Sequence, residues 1–567
     1  MKKSVSLILA LTMGLGMATA FSSCGGGAGY NPDNFLTLEE ATALGTPNKI
    51  VKEKTKLRIF VPRGSMNPRY DDMRMFKVLE EETNLDLVFI EAQEDNYSNQ
   101  RTLTWEDKKN LPDLFLYNNT ISEIVRFSKL GALAPFNDPN YKVGGVNAGS
   151  LIDNYMPTYK ALLEDDFGLE LTESATDIMT IRNGLMYSSA SVNDVPRDLT
   201  FKFYINQTWI KHINENCLPA GEAKLPNAGD IKTIEEYLTV LRAFKKYDAN
   251  NNGNANDEVP VSADNLNYLR NLILASYGYV SQGTEINTDG SGFVYVASTE
   301  AYKKYLETAS LMYSEGLLDD QTFANVENRQ QNLGFENQLG SFSAAAANIV
   351  VGELDPDYTT FGPLTSEYYT GTPLAYSKAK VNQLGAVIPS TTKKVREVAR
   401  FLDILYSDLG VSLCTFGQEN VDWEWTDETK TAWVKTIPES WESGEEDYRS
   451  TLTPNVGLGV SVYNKADFVI KESGTYTQKL NQLSERYKPY LKEPIPAYIK
   501  LTEKEYSEES RIGSELEKSV ESWEYKFVKG TKSVSNDWNA YLQEIERMGY
   551  KNMVKLYNDA YARYKNA

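Results

Sequence analysis

The pattern of apolar and polar residues near position 55 predicts a strand, a helix and a second strand in close succession. Residues 56–61 alternate and are rich in β-branched side chains, as is typical of a strand. Residues 72–84 carry apolar side chains at the spacing of one helical face, and residues 85–90 form another apolar run of strand length. These elements make a βαβ unit, so the chain is predicted to contain a parallel sheet.

A further strand is predicted at residues 110–118, and it ends in polar side chains before a helix at residues 121–130. Ligands of open α/β sheets bind beyond the carboxyl ends of the strands. Tyr117, Asn118 and Asn119 lie at such an end, and they are therefore candidate ligand-binding residues.

A longer apolar run, residues 6–20, follows Lys2 and Lys3 at the start of the chain. A basic start, a short apolar run and small residues indicate a secretory signal, and the run is too short for a stable membrane span. The run ends in Phe21-Ser-Ser-Cys24, which resembles the lipobox of bacterial lipoproteins. We expect Cys24 to carry acyl chains, palmitate among them, and to hold the protein outside the cytoplasm. The alternative is an ordinary secretion signal with an incidental cysteine.

Composition excludes several classes of protein. The 567 residues suffice for two or three domains, and the formal net charge of −20 disfavours a surface for nucleic acid or anionic lipid. His212 is the single histidine, which disfavours zinc hydrolases and triad enzymes. Two distant thiols besides Cys24, at Cys217 and Cys414, predict neither a disulfide framework nor a metal site. Residues 25–54 show no sustained apolar period and are predicted to form a tether.

An amphipathic helix at residues 233–246 leads directly into an Asp- and Asn-rich loop. The oxygen-bearing side chains are spaced by two and Gly253 allows a sharp turn, as in the first half of a calcium loop. Position 12 is Val259 rather than glutamate, so the loop is not a complete EF-hand. We expect one structural calcium ion; the alternative is a surface loop with no ion. The predicted ligands are Asp248, Asn250, Asn252, Asn254, Asp257 and, to complete the shell, Asn256 or Glu258.

This helix and loop, followed by Asp-Glu-x-Pro, resemble the extracellular solute-binding proteins (family 1) of carbohydrate ABC importers. The likeness is to the lipoprotein branch that includes alginate-oligosaccharide binders, and it covers most of the mature chain. The other stretches that resemble the family occur in the same order: Leu111-Pro-Asp113, Trp209-Ile-Lys211, residues 311–319, residues 399–407, Phe527-Val-Lys-Gly530 and Asp537-Trp-Asn-Ala-Tyr541.

The resemblance implies an α/β, two-lobed clamp of the type 2 periplasmic-binding fold, with discontinuous lobes. Lobe 1 is expected to comprise residues 55–190 and 370–420, and lobe 2 residues 191–369. The chain is expected to cross between lobes near residues 183–203 and 350–375. Residues 421–567 are expected to pack across both lobes, with long helices at residues 510–528 and 534–547.

The resemblance also suggests where further ligand-binding residues lie. Asn206 and Trp209 follow the first crossover, although Trp209, on a helix, is better suited to a core. Trp423 and Trp425 belong to a loop similar to one in which the family places an aromatic residue. Because the two tryptophans lie on alternate positions, we expect at most one of them to face the cleft if the segment is extended.

The function expected from this resemblance is that of a lipid-anchored receptor, a monomer and not an enzyme, that delivers an oligosaccharide to the permease subunits of an ABC importer. An extracytoplasmic glycan hydrolase is an alternative, since the many Asp and Glu residues allow paired carboxylates. A surface glycan-binding lipoprotein is another, but such proteins are built of helical repeats and no repeat period occurs here. A peptide receptor remains a minor alternative.

Overall fold

The computed structural model describes residues 30–64, 67–117, 120–144, 146–164, 178–181, 184–263, 266–324, 326, 328–441, 444–454 and 463–566. The signal segment, Cys24, Asn118 and Asn119 lie outside this range. The strands are β1 Thr55–Arg63, β2 Leu85–Gln93, β3 Leu114–Phe115, β4 Lys142–Val143, β5 Val146–Asn147, β6 Ser191–Asn193, β7 Lys202–Asn206, β8 Thr284–Ile286, β9 Phe293–Tyr295, β10 Ser341–Ala344, β11 Tyr358–Phe361, β12 Ala375–Tyr376, β13 Val381–Asn382, β14 Trp423–Trp425, β15 Trp433–Lys435, β16 Tyr463–Asn464 and β17 Leu491–Lys492.

The described helices of eight residues or more are numbered separately, and shorter ones are given by their residues. They are α1 Arg74–Thr83, α2 Tyr97–Glu106, α3 Ile121–Lys129, α4 Ile234–Lys246, α5 Leu266–Ile273, α6 Glu300–Ser314, α7 Val395–Tyr406, α8 Asp408–Phe416, α9 Glu445–Leu452, α10 Thr475–Glu485, α11 Glu503–Val528, α12 Val534–Met548 and α13 Tyr550–Lys565. No described helix combines the length and the apolar character needed to cross a bilayer.

Lobe 1 is built on the parallel sheet that the alternating pattern predicted. The strand order is β2-β1-β3, and Ile59 of β1 pairs with Phe89 on one side and Leu114 on the other. Phe115 also bridges Val387 in the antiparallel sense, so a returning segment extends the sheet. The core of the lobe combines residues 35–192 with residues 381–414 and Tyr463.

Lobe 2 is built on an antiparallel sheet of order β10-β7-β11. Helix α4 begins with the predicted capping box: the Thr233 hydroxyl accepts from the Glu236 N–H, and the Glu236 carboxylate accepts from the Thr233 N–H. The core of this lobe joins residues 203–364 to the C-terminal helices.

Three short strands connect the lobes in the order β13-β6-β16. Val192 of β6 pairs with Val381 in the antiparallel sense and with Tyr463 in the parallel sense. Along the chain, β6 lies at the end of the first segment of the lobe 1 core and before the first residues of the lobe 2 core. The second crossing lies at residues 375–382 rather than 350–375, because β11 still pairs with β7 inside lobe 2. We call β13, β6 and β16 the hinge strands.

The N-terminal stretch is more ordered than a tether. Phe35 bridges Val51, and both side chains are buried in the core of lobe 1. Arg400 of α7 donates hydrogen bonds to the backbone carbonyls of Leu36 and Pro47, which fastens the stretch to the lobe. The predicted tether of residues 25–54 is therefore wrong from residue 30 onward: its apolar residues lack a period, but they are still buried.

The C-terminal region contacts both lobes. Arg270 of α5 forms a buried ion pair with Glu524 of α11, at 2.5 Å, and apolar residues of α11 to α13 join the core of lobe 2. Helix α11 begins at Glu503, earlier than predicted, with a capping box at Thr502. Residues 417–454 pack beside lobe 1, where the Asp422 carboxylate lies 3.0 Å from Arg74 Nε.

Candidate ligand-binding cleft

A cavity of about 310 Å³ lies between the cores of the two lobes. Val381, on a hinge strand, and Ile178 belong to the core of lobe 1, whereas Ile286 and Tyr498 pack against the core of lobe 2. The volume is at the lower end of the range for small-molecule pockets. The full lining consists of Ile178, Ile286, Val381, Leu491, Lys492, Glu493, Pro496, Ala497 and Tyr498.

The charge of Lys492 is compensated within the wall of the cavity. Its ammonium lies 2.6 Å from Glu285 Oε1, and the Glu285 side chain is fully buried. Glu285 Oε2 accepts hydrogen bonds from the backbone N–H groups of Val280 and Ser281 at 2.9 and 2.8 Å. A buried carboxylate is stable only with such partners, so Lys492 and Glu285 form a fixed pair.

Glu493 is the second charged residue of the lining. Burial raises the pKa of Glu493 to about 7, and this effect outweighs the positive charge of Lys380 and the hydrogen bond that the Lys380 N–H donates. Near neutral pH, the Glu493 carboxyl can therefore donate as well as accept a hydrogen bond.

The structure gives Tyr117 a buried position in the core of lobe 1, at the end of the β3 segment. Its carbonyl accepts a hydrogen bond from the Tyr97 hydroxyl at 2.5 Å. Its own hydroxyl is buried and has no hydrogen-bond partner among the described residues. The Tyr117 phenol interacts electrostatically with Cys414, Tyr70 and Tyr406 of the same core, so its unpaired hydroxyl lies inside lobe 1.

Asn206 and Trp209 have structural roles that remove them from the cleft. Asn206 is the last residue of the central strand β7, whereas Lys202, at the other end, is nearer to the hinge strands in sequence. The Asn206 side-chain oxygen caps the following helix by accepting from the Trp209 N–H at 3.0 Å. Trp209 is 1% exposed in the core of lobe 2, and its Nε1 donates to Asn337.

Trp423 and Trp425 share one face of β14, so alternation along the strand is not a reason for only one of them to face the cleft. Residues two apart on a strand project to the same side. The ring centroids are 5.3 Å apart, and both rings contact Phe468. Trp423 is 1% exposed and donates to the Gly417 carbonyl, so its role is structural.

Trp425 differs from its neighbour because it is only half-buried. Its Nε1 is buried and has no hydrogen-bond partner within the described part of the chain. The ammonium groups of Lys430 and Lys471 lie 5.5 and 5.7 Å from the ring centroid. Of the two tryptophans, Trp425 is therefore the one that can still offer a surface to a ligand.

The Asp- and Asn-rich loop folds into a compact turn. Asp248 accepts from the N–H groups of Asn252 and Gly253 at 3.0 and 2.9 Å. Asn252 Oδ1 accepts from the Asn254 N–H, and Asn254 Oδ1 accepts from the Asn256 N–H, at 2.8 and 3.3 Å. Gly253 has a φ of +89°, which glycine adopts without strain and which closes the turn.

Asp257 accepts hydrogen bonds from side chains at the start of the loop. The side-chain amides of Asn250 and Asn252 donate to its carboxylate at 3.4 and 2.8 Å. Glu258 is 3% exposed, and burial raises the pKa of its carboxyl. Glu258 Oε1 accepts from the Ala249 N–H at 2.7 Å, whereas its buried Oε2 has no partner among the described atoms.

The chemistry of this loop fits a hard cation. Its side chains offer carboxylate and amide oxygens, the donors that calcium prefers, and Glu258 Oε2 is a buried oxygen still lacking a partner. In the described residues no three Asp, Glu, His or Cys groups converge as a metal cluster. Amide and carbonyl oxygens would therefore have to supply part of any coordination shell.

None of the residues of the cavity wall was predicted from the sequence to bind ligand. Glu493 and Tyr498 lie in a Pro-containing segment without periodicity, and Ile178 and Ile286 come from distant parts of the chain. Apolar and charged residues of this kind carry no motif. None of the described residues predicted to bind ligand belongs to the cavity lining.

The chain is similar to known binding proteins over most of its length, although no protein-family model matches it. FusA of Streptococcus pneumoniae serotype 4 (strain ATCC BAA-334 / TIGR4), a fructooligosaccharide ABC transporter substrate-binding protein, is 21% identical over 542 residues, which cover 91% of this chain and 92% of FusA. The solved structure of FusA with kestose matches with a TM-score of 0.70 at 19% identity, covering 90% of this chain and 99% of that chain. Another FusA structure is an EF-hand mutant in complex with fructo-nystose.

Two further solved structures have the same fold. An extracellular solute-binding protein from Bifidobacterium longum subsp. infantis matches with a TM-score of 0.72 at 15% identity, covering 91% of this chain and 99% of that chain. Alginate-binding protein AlgQ2 without calcium ion matches with a TM-score of 0.67 at 18% identity and the same coverage. The resemblance inferred from the sequence motifs is thus confirmed, and the chain has the fold of the substrate-binding proteins of carbohydrate ABC transporters.

Proposed function

We propose that the protein is an extracytoplasmic substrate-binding protein that captures an oligosaccharide between its lobes and delivers it to an ABC importer. The observation that carries the proposal is the likeness to FusA, which extends across both lobes and the hinge strands and covers nine tenths of each chain. Closure of two lobes about such a hinge buries a ligand and signals its presence to a transporter.

The proposed ligand surface combines the cavity between the lobes with polar and aromatic residues singled out in the sequence. Tyr498 and the apolar lining offer faces against which sugar rings can pack, and Glu493 offers a hydrogen-bonding carboxyl. Asn118, Asn119 and Trp425 remain proposed contacts outside the cavity lining, and Tyr117 is left out because its side chain lies in the core of lobe 1. Trp423, Asn206 and Trp209 are left out because of their structural roles.

We test the function by incubating the protein with a panel of neutral and acidic oligosaccharides. A receptor raises its melting temperature with at least one of them and leaves that oligosaccharide intact on chromatography. Shortening of the oligosaccharide would instead identify a hydrolase. Failure of every oligosaccharide to bind would reject the proposed function.

We further propose that the loop at residues 248–258 holds one calcium ion with a structural role. The ligands are the side chains of Asp248, Asn250, Asn252 and Asp257 and the Asn254 carbonyl, completed by Asn256 or Glu258. The partnerless Glu258 Oε2 favours Glu258. The ion supplies positive charge that offsets the crowded oxygens. Through Asn250, whose amide donates to the Asn337 carbonyl, the loop would also brace the residue that holds Trp209.

The proposed location is the outer face of the cell membrane, with acyl chains on Cys24 as the anchor. The partners are the permease subunits of the importer, which a monomeric receptor would contact through both lobes. Labelling with a palmitate analogue should modify the parent protein and not Cys24→Ser. Recovery of that variant in the membrane fraction with the parent's yield would reject the anchor.

A further inference from the structure

The wall of the cavity between the lobes contains little to attract an anion. Lys492 is the one cation among the described residues of the lining, and its ammonium is held 2.6 Å from the buried Glu285. An anionic ligand would have to compete with Glu285 for this ammonium. Two backbone N–H groups also donate hydrogen bonds to Glu285, which keeps its carboxylate beside Lys492.

The remaining charge of the lining is the Glu493 carboxyl. Two neighbouring groups act on it electrostatically: Lys380, which precedes β13, and Tyr376, in β12. Lys380 is not part of the lining, so a ligand in the cavity meets the carboxyl and not this ammonium. A uronate placed there would lose its hydration and face a second carboxylate.

The other lining side chains suit an uncharged ring. Ile178, Ile286 and Leu491 are apolar, and the Tyr498 ring is held by stacking on Tyr564 with centroids 4.3 Å apart. A rigid aromatic ring can pack against the apolar face of a sugar, while a carboxyl group bonds its hydroxyls.

We propose that this cavity selects an uncharged sugar unit and rejects a uronate, with Glu493 as the residue that determines this preference. The inference rests on the proposed function and adds the class of oligosaccharide. It also predicts a dependence on pH, since a protonated Glu493 no longer repels a uronate. Because the pKa of Glu493 is about 7, the discrimination is strongest at pH 8 and weaker at pH 5.5.

The test uses calorimetry with oligosaccharides that differ only in the group at C6. Mannotriose is compared with trimannuronate, and galactotriose with trigalacturonate, with kestose as a further neutral probe. At pH 8 we expect the ratio of the parent's affinities, best neutral probe over any uronate, to be about tenfold or more. Repulsion between the ionised Glu493 carboxylate and the uronate is of this size. Glu493→Gln should narrow this ratio at least about threefold at pH 8 and leave it nearly unchanged at pH 5.5.

Glu509→Gln is the matched control, because Glu509 on α11 also has a carboxyl pKa raised by burial but is not in the lining. It should keep the parent's ratio at both pH values. Equal or tighter binding of uronates by the parent, or an unchanged ratio for Glu493→Gln at pH 8, would overturn this inference and leave the proposed function standing. Absence of binding to every neutral and acidic probe would overturn the proposed function itself.

Discussion

Lys129 at the end of α3 in lobe 1 lies 2.6 Å from Glu503 at the start of α11, whose apolar face packs in the core of lobe 2. Each charge also has the sign that its helix terminus favours. The pair thus links lobe 1 to the C-terminal helix that packs on lobe 2. Both side chains remain partly exposed, at 58% and 35%, so the link is weak enough to open.

The first prediction contrasts this exposed pair with the buried one that fixes α11 to lobe 2. Glu503→Ala should change the free energy of unfolding by less than about 1 kcal/mol. Glu524→Ala should lower it by about 3–5 kcal/mol, because it leaves Arg270 buried without its carboxylate. Denaturant unfolding measures both. Similar effects of the two substitutions would contradict the structural assignment of these pairs.

The second prediction concerns the cation loop. Chelation should lower the melting temperature of the parent, since calcium at a hundredfold excess over its Kd stabilises by about 2.7 kcal/mol. Asp248→Ala should remove this sensitivity and leave sugar affinity nearly intact. Asp289→Ala is the control, because Asp289 closes a similar turn by accepting from the Ser291 N–H. Identical melting temperatures with chelator and with millimolar calcium would show that the loop is a turn that binds no calcium.

The third prediction separates the two tryptophans of β14. Trp425→Ala should weaken oligosaccharide binding by about 2 kcal/mol, or roughly thirtyfold, with little loss of stability. Trp423→Ala should instead destabilise the fold by about 3–5 kcal/mol, because it empties the centre of an aromatic cluster. Calorimetry and denaturant unfolding report the two effects separately. Parent-like affinity of Trp425→Ala would remove Trp425 from the proposed ligand surface.

The fourth prediction follows from the Glu493 carboxyl, whose pKa rises from 4.5 to about 7 on folding. Between these values the folded protein keeps a proton that the unfolded chain has released, so stability falls as pH rises. Glu493→Gln should remove this contribution, which is at most about 3 kcal/mol. Burial also raises the pKa of Asp403, to about 6, so the parent's stability depends on pH for more than one reason. The contribution of Glu493 is therefore measured as the difference in unfolding free energy between the parent and Glu493→Gln at each pH.

The control for this pH series is Glu485→Gln, which alters an exposed glutamate paired with Lys488. It should preserve the parent's dependence of unfolding free energy on pH. If Glu493→Gln also preserves that dependence between pH 4.5 and 7.5, then folding does not raise the pKa of Glu493.

Local patterns predicted the parts of the fold that local chemistry determines. The alternation in β1 and β2 and the capping box of α4 depend on neighbours in sequence, and the parallel sheet and the helix are both present. The hinge strands depend instead on pairing between Val192, Val381 and Tyr463. Strands this short leave no period, so the second crossing was predicted too early.

The candidate site was less predictable because its wall is assembled from distant residues. Ile178, Ile286 and Glu493 meet only after both lobes have folded, and none of them belongs to a motif. Trp209 was recognised as better suited to a core, where it lies. That at most one of Trp423 and Trp425 faces the cleft stays a prediction, but alternation does not support it, because residues two apart on a strand share a face.

The most direct test of the central claim is small-angle scattering of the protein with and without the neutral oligosaccharide that raises its melting temperature most. Capture between the lobes predicts a smaller radius of gyration at saturation, with the oligosaccharide recovered intact. An unchanged radius with saturating ligand, or recovery of shortened oligosaccharide, would contradict a two-lobed receptor that closes on its sugar.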